Sequence, residues 1–248
     1  MVAYSFRAEA APTNQFSQPT CTFDVRSLPI MYINSQKSIW SAEIARSTTF
    51  LVAKDIWATA AHSIGYGKHK RIQIFIDGEI VDATLLYVDV MNDVALVTAP
   101  SGDLKPLALA SKPLIKFEPA WTVGYPYYDP GYLHSYGGML LNVDRRGFVK
   151  INALAIQGMS GGPAFRCSDG ILEVMGINVE HRVIMLQEDI VIEDGKVWRI
   201  RTITNSGYSN VSPISNLIEH IYAGNKNYII WAKEPLIIGD PMAPQIVD

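Results

Sequence analysis

The chain has 248 residues, of which 48% are apolar and 18% charged, and its formal net charge is −3. A chain of this length buries roughly 70–75% of the surface that its unfolded form exposes, so it can fold as one large β domain or two small ones. The weak negative charge and the lack of a basic block argue against nucleic acid or an acidic membrane surface as the main partner.

The two ends of the sequence predict neither an export signal nor a membrane span. The start, "MVAYSFRAEAAPTNQF", has only a short apolar patch and reaches Arg7 and Glu9 early, so it lacks a signal-peptide core. No window approaches the roughly 18 apolar residues of a spanning helix. The late stretch "NYIIWAKEPLIIG" is interrupted by charge and proline. We interpret it as a packed terminal strand, with partner docking as the alternative, and we expect a cytoplasmic protein.

Cysteine is scarce, with Cys21 and Cys167 the two examples. Two cysteines do not make a disulfide framework. A bridge between them depends on a Cα separation that sequence does not supply. We therefore expect two reduced thiols, neither of which has the local signature of a nucleophile.

The order of apolar runs predicts two β units joined by a linker. Residues 1–27 have little periodicity and indicate a surface arm. Beyond them, short runs rich in Val, Ile, Thr and aromatic residues are typical of strands, for example "TTFLVA", "RIQIFI" and "ATLLYVDV". We assign 28–105 to a first β-barrel, 106–118 to an interbarrel linker rich in proline and lysine, and 119–212 to a second β-barrel.

One helix is predicted late in the chain, in the segment 213–248. In "SPISNLIEHIYAG", Ser212 fits the N-cap, Pro213 fits the first helical position and Gly224 ends the helix. Before it, "VIMLQEDIVIEDGKVWRIRTI" predicts a hairpin that turns at Asp194–Gly195. Many short strands with one late helix predict an all-β fold of two small barrels.

His62 follows "IWATAA", a strand-like run that ends in small residues. Small residues let a neighbouring chain approach the imidazole closely, although a lone histidine in such a place is usually structural. The other histidines lack a comparable context: His69, His134, His181 and His220. The sequence has no HExxH motif and no Cys/His pairing, so we predict no metal site and no cofactor.

Asp93 opens the apolar strand "NDVALV". One interpretation is a turn aspartate before a strand, which is common. The other is a carboxylate beside the core that orients an imidazole.

Ser160 stands among glycines in "GMSGGPAF". A serine hydroxyl is a poor nucleophile until a base takes its proton and donors stabilise the resulting oxyanion. Gly158 tolerates the positive φ of a turn that aims backbone N–H groups at one point. We expect Gly161 and Gly162 to leave room for a substrate backbone and Pro163 to fix the exit of the loop. The alternative is a glycine-rich hairpin turn.

Taken in chain order, "TAAHS", "NDVAL" and "GMSGGP" resemble the motifs of the trypsin-like, chymotrypsin-fold serine proteases, from about residue 40 to 223. The resemblance implies two six-stranded antiparallel β-barrels with a C-terminal helix, and an active site between the barrels. It also implies that Ser160 attacks a peptide carbonyl, His62 carries the proton and Asp93 orients the imidazole. The N–H groups of Gly158 and Ser160 are then the oxyanion hole.

Met159 stands where digestive members of the family have an aspartate that pairs with a new N-terminus after zymogen cleavage. We therefore do not expect activation by N-terminal insertion. The motif style is closest to the high-temperature-requirement (Do-like) proteases, because "GINVE" and "GYSNVSPIS" are similar to their strand after the serine and their stretch before the last helix. We expect no PDZ domain to follow.

The resemblance also implies where substrate binds, namely a pocket wall just before Ser160 and a strand that pairs with the substrate backbone. The implied residues are Leu154, Ala155, Gln157, Ile177, Asn178 and Val179. Leu154 replaces the aspartate that selects Lys and Arg in trypsin. We expect an apolar, small to medium P1 residue.

The leading hypothesis is a serine endopeptidase that acts on protein or peptide substrates. The alternative is a protease-fold binding module, or a latent protease whose oxyanion hole needs an activating protein partner. Met159 and Gln157 leave open a collapsed resting loop, which a partner could open through 181–206 or the terminal arms. A structural β protein with accidental motifs is the third interpretation.

Overall fold

A computed structural model describes most of the chain. The described residues are 21–38, 44–129, 131–193, 196–223 and 230–231. No helix among them is long and apolar enough to cross a membrane.

The first barrel consists of six antiparallel strands, β1–β6, and it closes where β5 pairs with β6. Buried and exposed side chains alternate along its strands. In β4, Ile72, Ile74 and Ile76 point inward and are buried, while their neighbours are more exposed. The strands are β1 (Ile30–Gln36), β2 (Ile44–Ala53), β3 (Ile56–Ala60), β4 (Arg71–Ile76), β5 (Glu79–Asp89) and β6 (Val94–Thr98).

The second barrel is a closed ring of six strands in the order β10-β11-β12-β9-β8-β7. The predicted hairpin is present, since β11 and β12 pair as far as Glu193 and Lys196, and its turn at Asp194–Gly195 lies outside the described residues. The strands are β7 (Pro119–Gly124), β8 (His134–Val143), β9 (Val149–Ile151), β10 (Pro163–Ser168), β11 (Ile171–Glu193) and β12 (Lys196–Pro213). The predicted fold class, two six-stranded barrels, is confirmed.

One apolar cluster and a set of direct hydrogen bonds join the two barrels. A single cluster of buried residues includes Phe50 and Leu96 from the first barrel and Val123 and Phe165 from the second. Thr48, on β2, makes one of these hydrogen bonds: its backbone N–H donates to the Ser160 carbonyl at 2.9 Å. This contact holds a first-barrel strand against the serine loop of the second.

The C-terminal helix α1 spans Ser215–Ala223, so the predicted start at Ser212 and Pro213 is wrong. Both residues belong to β12, and Ser212 is buried opposite Ile177. Strand pairing therefore outcompetes the capping signal at these positions, and the predicted stop at Gly224 lies outside the described residues.

The terminal apolar stretch forms a strand where it is described. β13 (Ile230–Trp231) pairs in parallel with Tyr87 and Val88 of β5. The rest of that stretch is outside the described residues.

The expectation of reduced thiols is wrong, because Cys21 and Cys167 form a disulfide with a Cα separation of 5.7 Å. Phe23 lies beside the bridge and packs against Trp121 and Phe165, with ring centroids 5.9 and 6.1 Å away. The end of the arm is therefore fixed on the second barrel by a covalent bond and an aromatic contact. A cavity of about 630 Å³ lies beside the disulfide, and none of the motif residues lines it.

Loss of this disulfide should lower the free energy of unfolding by about 2–5 kcal/mol, because the bridge spans 146 residues and restricts the unfolded chain. Urea titration of Cys21→Ser, Cys167→Ser and the double variant measures the loss. We expect the double variant to be no less stable than either single one, since the bond is absent from all three. Two free thiols in the denatured, unreduced wild type would contradict the assignment.

Candidate active site

His62 stands two residues after the last residue of β3, at the start of a 3₁₀ turn, His62–Gly67. The strand before it ends in small residues, and Ala58, Ala60 and Ala61 are fully buried. Because β3 pairs with β6 so that Ala60 lies opposite Val94, Ala61 comes to lie next to Asp93, and His62 follows it at the same edge. That edge holds His62 and Asp93.

Asp93 binds His62 through both carboxylate oxygens. Its Oδ1 accepts the His62 backbone N–H at 2.8 Å, and its Oδ2 lies 2.7 Å from Nδ1 of the ring. An ionised carboxylate only accepts, so Nδ1 donates to it, and a neutral imidazole in this orientation has its lone pair at Nε2. The arrangement leaves the imidazole oriented as a base.

Asp93 has a positive φ of 53°, in the left-handed region. Its own carbonyl accepts the Ala61 N–H at 3.1 Å, so a main-chain bond holds this conformation next to the imidazole. Aspartate adopts the left-handed region more readily than most residues, which suits it to this turn.

The serine loop is anchored on both sides of Ser160. Gly158 has a φ of +97°, and a Cβ there would stand 2.4 Å from the Tyr127 nitrogen. The Gly158 carbonyl accepts a hydrogen bond from Thr48 Oγ1 at 2.9 Å. Met159 is fully buried, and a Cβ on Gly124 would meet its Cα and Cβ at 2.9 Å. Apolar packing thus anchors the loop at Met159, next to the serine.

Among the described residues, two N–H groups of the segment 158–162 have no hydrogen-bond acceptor. The backbone N–H groups of Met159, Gly161 and Gly162 each donate to a main-chain carbonyl. Those of Gly158 and Ser160 donate no hydrogen bond among the described residues. They are the predicted oxyanion donors.

The expectation that Gly161 and Gly162 make room for substrate is wrong. A Cβ on Gly161 would lie 2.2 Å from the Thr48 carbonyl oxygen, and one on Gly162 would lie 2.1 Å from the Val123 carbonyl oxygen. Protein backbone fills the space beside both glycines. Their role is to let the strands of the two barrels approach the loop.

His62, Asp93 and Ser160 line one groove of about 560 Å³. The Ser160 side chain makes no hydrogen bond to another described residue, and the bond to a base is often long in unliganded enzymes. The other lining residues are Tyr66, Val90, Met91, Arg146, Phe148 and Val179. Burial, and then the charge of Asp93, raise the pKa of the Tyr66 hydroxyl.

Two of the residues predicted to bind substrate are part of the barrel interior. Ile177 is fully buried and Asn178 is 1% exposed. The Asn178 N–H donates to Gly162 and its carbonyl accepts from Gly161, so its backbone is not available to a substrate strand. The prediction for Ile177 and Asn178 is wrong, because these positions close the barrel behind the serine loop.

Val179 does line the groove. It lies between Asn178, which pairs with Val211, and Glu180, which pairs with Asn210, and the register shifts at this point. A bulge of this kind re-aims a side chain.

The predicted pocket wall lies outside the groove. Leu154 is half-buried, Ala155 is 4% exposed and Gln157 is exposed, and none of them lines the groove that holds Ser160. The Gln157 carbonyl accepts the Tyr127 N–H at 2.7 Å, which joins this segment to the loop after β7. The assignment of these residues to a P1 wall stays a prediction.

Sequence reasoning missed Tyr66, Val90, Met91, Arg146 and Phe148. They come from three turns that only the closed barrels bring together. One signal was available: Val90 and Met91 are apolar residues in the polar stretch "VDVMND", and they are 42% and 69% exposed.

Among the described residues, no group of three His, Cys, Asp or Glu side chains could hold a metal ion. The absence of a metal site stays a prediction.

Comparison with solved structures shows the fold. The serine endoprotease from Yersinia pestis has a TM-score of 0.59 at 17% identity, covering 80% of this chain and 64% of that one, so this chain spans less than two thirds of that protein. The active form of the Rv3671c protease from M. tuberculosis has a TM-score of 0.60 at 18% identity, over 83% and 85%. None of the curated protein sequences matches.

A family comparison covers the site itself. The model of the trypsin-like peptidase domain matches residues 47–177, more than half of the chain, and the match includes His62, Asp93 and Ser160. The resemblance in the three motifs is confirmed, and the chain belongs to the trypsin-like peptidase family.

Proposed function

We propose that this protein is a serine endopeptidase with Ser160 as nucleophile, His62 as general base and acid, and Asp93 as the group that orients the imidazole. The observation that carries the proposal is the double hydrogen bond from His62 to Asp93, in a groove that Ser160 also lines. A base held with Nε2 as its acceptor is what a serine hydroxyl needs to become a nucleophile.

The reaction proceeds through an acyl-enzyme. Ser160 Oγ attacks the peptide carbonyl carbon and its proton passes to His62 Nε2. The resulting oxyanion accepts hydrogen bonds from the Gly158 and Ser160 N–H groups. The C–N bond then breaks, and the amine leaves with the proton from His62. Water attacks the ester carbonyl as His62 takes its proton; the ester C–O bond then breaks, His62 returns the proton to Ser160 Oγ, and the acid is released.

The conformation of the serine loop supports an active enzyme over the latent alternative. Met159 is buried, Thr48 binds the loop on both sides of it, and the Gly158 and Ser160 N–H groups have no internal acceptor among the described residues. A collapsed loop would satisfy these donors internally. The need for an activating partner stays a prediction, as does the closer likeness to Do-like proteases.

Proteins or peptides are the proposed substrates, with an apolar, small to medium P1 residue, because Leu154 replaces the aspartate that selects basic residues. Cleavage of a peptide library measures the P1 preference directly, and dominant cleavage after Lys or Arg would contradict the proposed preference. A cytoplasmic location stays a prediction. The Cys21–Cys167 disulfide weighs against it, since such bonds persist mainly in oxidising compartments.

Labelling with a fluorophosphonate probe tests the proposed nucleophile. We expect the wild type to be labelled and Ser160→Ala to lose the label entirely, because the probe reacts only with a serine whose proton is removed and whose oxyanion is stabilised. Ser135→Ala, which removes an exposed serine of β8, is the matched control and should keep the label. Labelling that persists in Ser160→Ala would overturn the assignment. An unlabelled wild type would favour the latent alternative.

A further inference from the structure

Thr48 of β2 is fully buried and makes four hydrogen bonds to three other segments. Its backbone N–H donates to the Ser160 carbonyl, and its Oγ1 donates to the Gly158 carbonyl, each at 2.9 Å. The same Oγ1 accepts the Tyr125 N–H at 2.9 Å, and the Thr48 carbonyl accepts from Thr59 Oγ1 at 2.8 Å. This residue therefore joins the serine loop to the end of β7 and to β3, the strand before His62.

The proton of the Thr48 hydroxyl has one defined direction. A backbone N–H can only donate, so the Tyr125 N–H occupies a lone pair of Thr48 Oγ1. A carbonyl can only accept, so the hydroxyl proton points to the Gly158 carbonyl oxygen. Because the side chain is buried, water does not replace either partner. The hydroxyl therefore holds the Gly158 carbonyl in one orientation.

The carbonyl groups of residues 157–160 all accept hydrogen bonds. Those of residues 157, 159 and 160 accept backbone N–H groups, from Tyr127, Gly162 and Thr48 in that order. The Gly158 carbonyl accepts the Thr48 hydroxyl instead. Of these four bonds it is the one that a side-chain substitution removes while the backbone bonds stay in place.

The Gly158 carbonyl lies between the two proposed oxyanion donors along the backbone. The Gly158 N–H comes before it, and the Ser160 N–H belongs to the next peptide group. Rotation of the peptide group that joins Gly158 to Met159 would re-aim one donor relative to the other, and glycine permits such rotation more than other residues do. The Met159 N–H donates to the Ile156 carbonyl at 2.9 Å, so loss of the Thr48 bond would loosen this peptide group without releasing it.

We propose that Thr48 is a positioning residue for the oxyanion hole, and that its hydroxyl holds the peptide group between the two donors so that both N–H groups aim at one point. The inference rests on the proposed function. Thr48 is not among the residues that line the groove, so it acts through the Gly158 carbonyl and not on the substrate. It belongs to the barrel that carries His62 and Asp93, whereas Ser160 belongs to the other barrel. The bond thus also fixes the donors relative to the proposed base.

Thr48→Val tests the inference, because valine has nearly the same shape without the hydroxyl, and its backbone N–H can still donate to Ser160. We expect the fluorophosphonate labelling rate and kcat on peptides to fall by about 10- to 100-fold. This is less than the loss of a whole oxyanion donor, since the Met159 N–H still restrains the peptide group. KM should change by less than about threefold, because the oxyanion forms only after substrate has bound.

Thr49→Val is the matched control. Thr49 is the next residue of β2, it is also fully buried, and its hydroxyl donates to the Ala58 carbonyl of β3 at 2.8 Å. Both valine variants leave a buried carbonyl without its donor, so both should melt at a lower temperature than the wild type. Labelling of Thr49→Val should nevertheless stay within about twofold of the wild-type rate, because its lost bond does not involve the serine loop.

Thr48→Ser separates the hydroxyl from the rest of the side chain. Serine keeps the donor and the acceptor, so labelling and kcat should return to within about threefold of the wild type. If Thr48→Val does not fold, as judged by circular dichroism, Thr48→Ala takes its place with the same expected loss, since alanine removes the hydroxyl without adding a methyl group.

The outcomes distinguish this inference from the proposed function. Thr48→Val labelled at the wild-type rate would overturn the role of Thr48 and leave the endopeptidase standing. An equal loss in Thr49→Val would also overturn it, as would a Thr48→Ser enzyme as slow as Thr48→Val. A wild type that is neither labelled nor able to cleave peptides would contradict the proposed function itself and the inference with it.

Discussion

Replacing Asp93 with asparagine should lower kcat by about 10⁴-fold on any peptide that the wild type cleaves. Both carboxylate oxygens are in use, one by the His62 N–H at 2.8 Å and one by Nδ1 at 2.7 Å. Asparagine keeps only one acceptor oxygen. If its NH₂ faces the ring, Nδ1 must accept and the ring proton moves to Nε2, where it prevents His62 from taking the Ser160 proton.

The loss should fall on kcat, because the tautomer matters for proton transfer and not for substrate binding. Asp82→Asn is the matched control: Asp82 is on β5, its side chain is 76% exposed, and it should leave kcat within about twofold of the wild type. Circular dichroism and thermal melting establish that both variants are folded. An Asp93→Asn enzyme that keeps more than about a tenth of the wild-type kcat would remove Asp93 from the proposed triad.

The triad candidates could be predicted from sequence because each lies in a short motif with its own chemical logic. His62 follows a run of small residues, Asp93 opens an apolar strand and Ser160 is flanked by glycines. Their order in the chain then matched one family. Short alternating strands separated by turns predicted an all-β fold of two small barrels, and the resemblance to the family then implied six strands in each.

Features that depend on two distant segments could not be predicted in this way. The Cys21–Cys167 bridge needs a Cα separation that only the folded arm provides. The motif around Asn178 predicts a residue that pairs with substrate. In the fold, however, its carbonyl accepts from the Gly161 N–H and its own N–H donates to the Gly162 carbonyl. Arg146, on the β8–β9 turn, lines the same groove as Val90 and Met91 of the β5–β6 turn, and the β8–β9 turn carries no motif.

Gly158→Ala should lower the rate of fluorophosphonate labelling, and kcat on peptides, by about 10²–10³-fold, the usual cost of one lost oxyanion donor. The added Cβ would stand 2.4 Å from the Tyr127 nitrogen and 2.6 Å from the Tyr125 carbonyl oxygen. Both are backbone atoms, so they cannot rotate away as a flexible side chain would. The φ of +97° is also one that alanine rarely adopts. The backbone peptide group that carries the N–H of residue 158 must rotate, and this N–H then leaves the position where the oxyanion forms.

Gly170→Ala is the control that separates this effect from backbone strain. Gly170, in the turn between β10 and β11 of the same barrel, has a φ of +78°, but a Cβ there meets no atom within 4 Å. We expect it to cost roughly 1 kcal/mol of stability and to leave the labelling rate unchanged. If both variants lose labelling equally, strain alone accounts for the loss. If Gly158→Ala is labelled as fast as the wild type, its N–H is not an oxyanion donor. A loss confined to Gly158→Ala would mean that the close packing of the Tyr125–Tyr127 segment on the serine loop keeps the proposed oxyanion hole open.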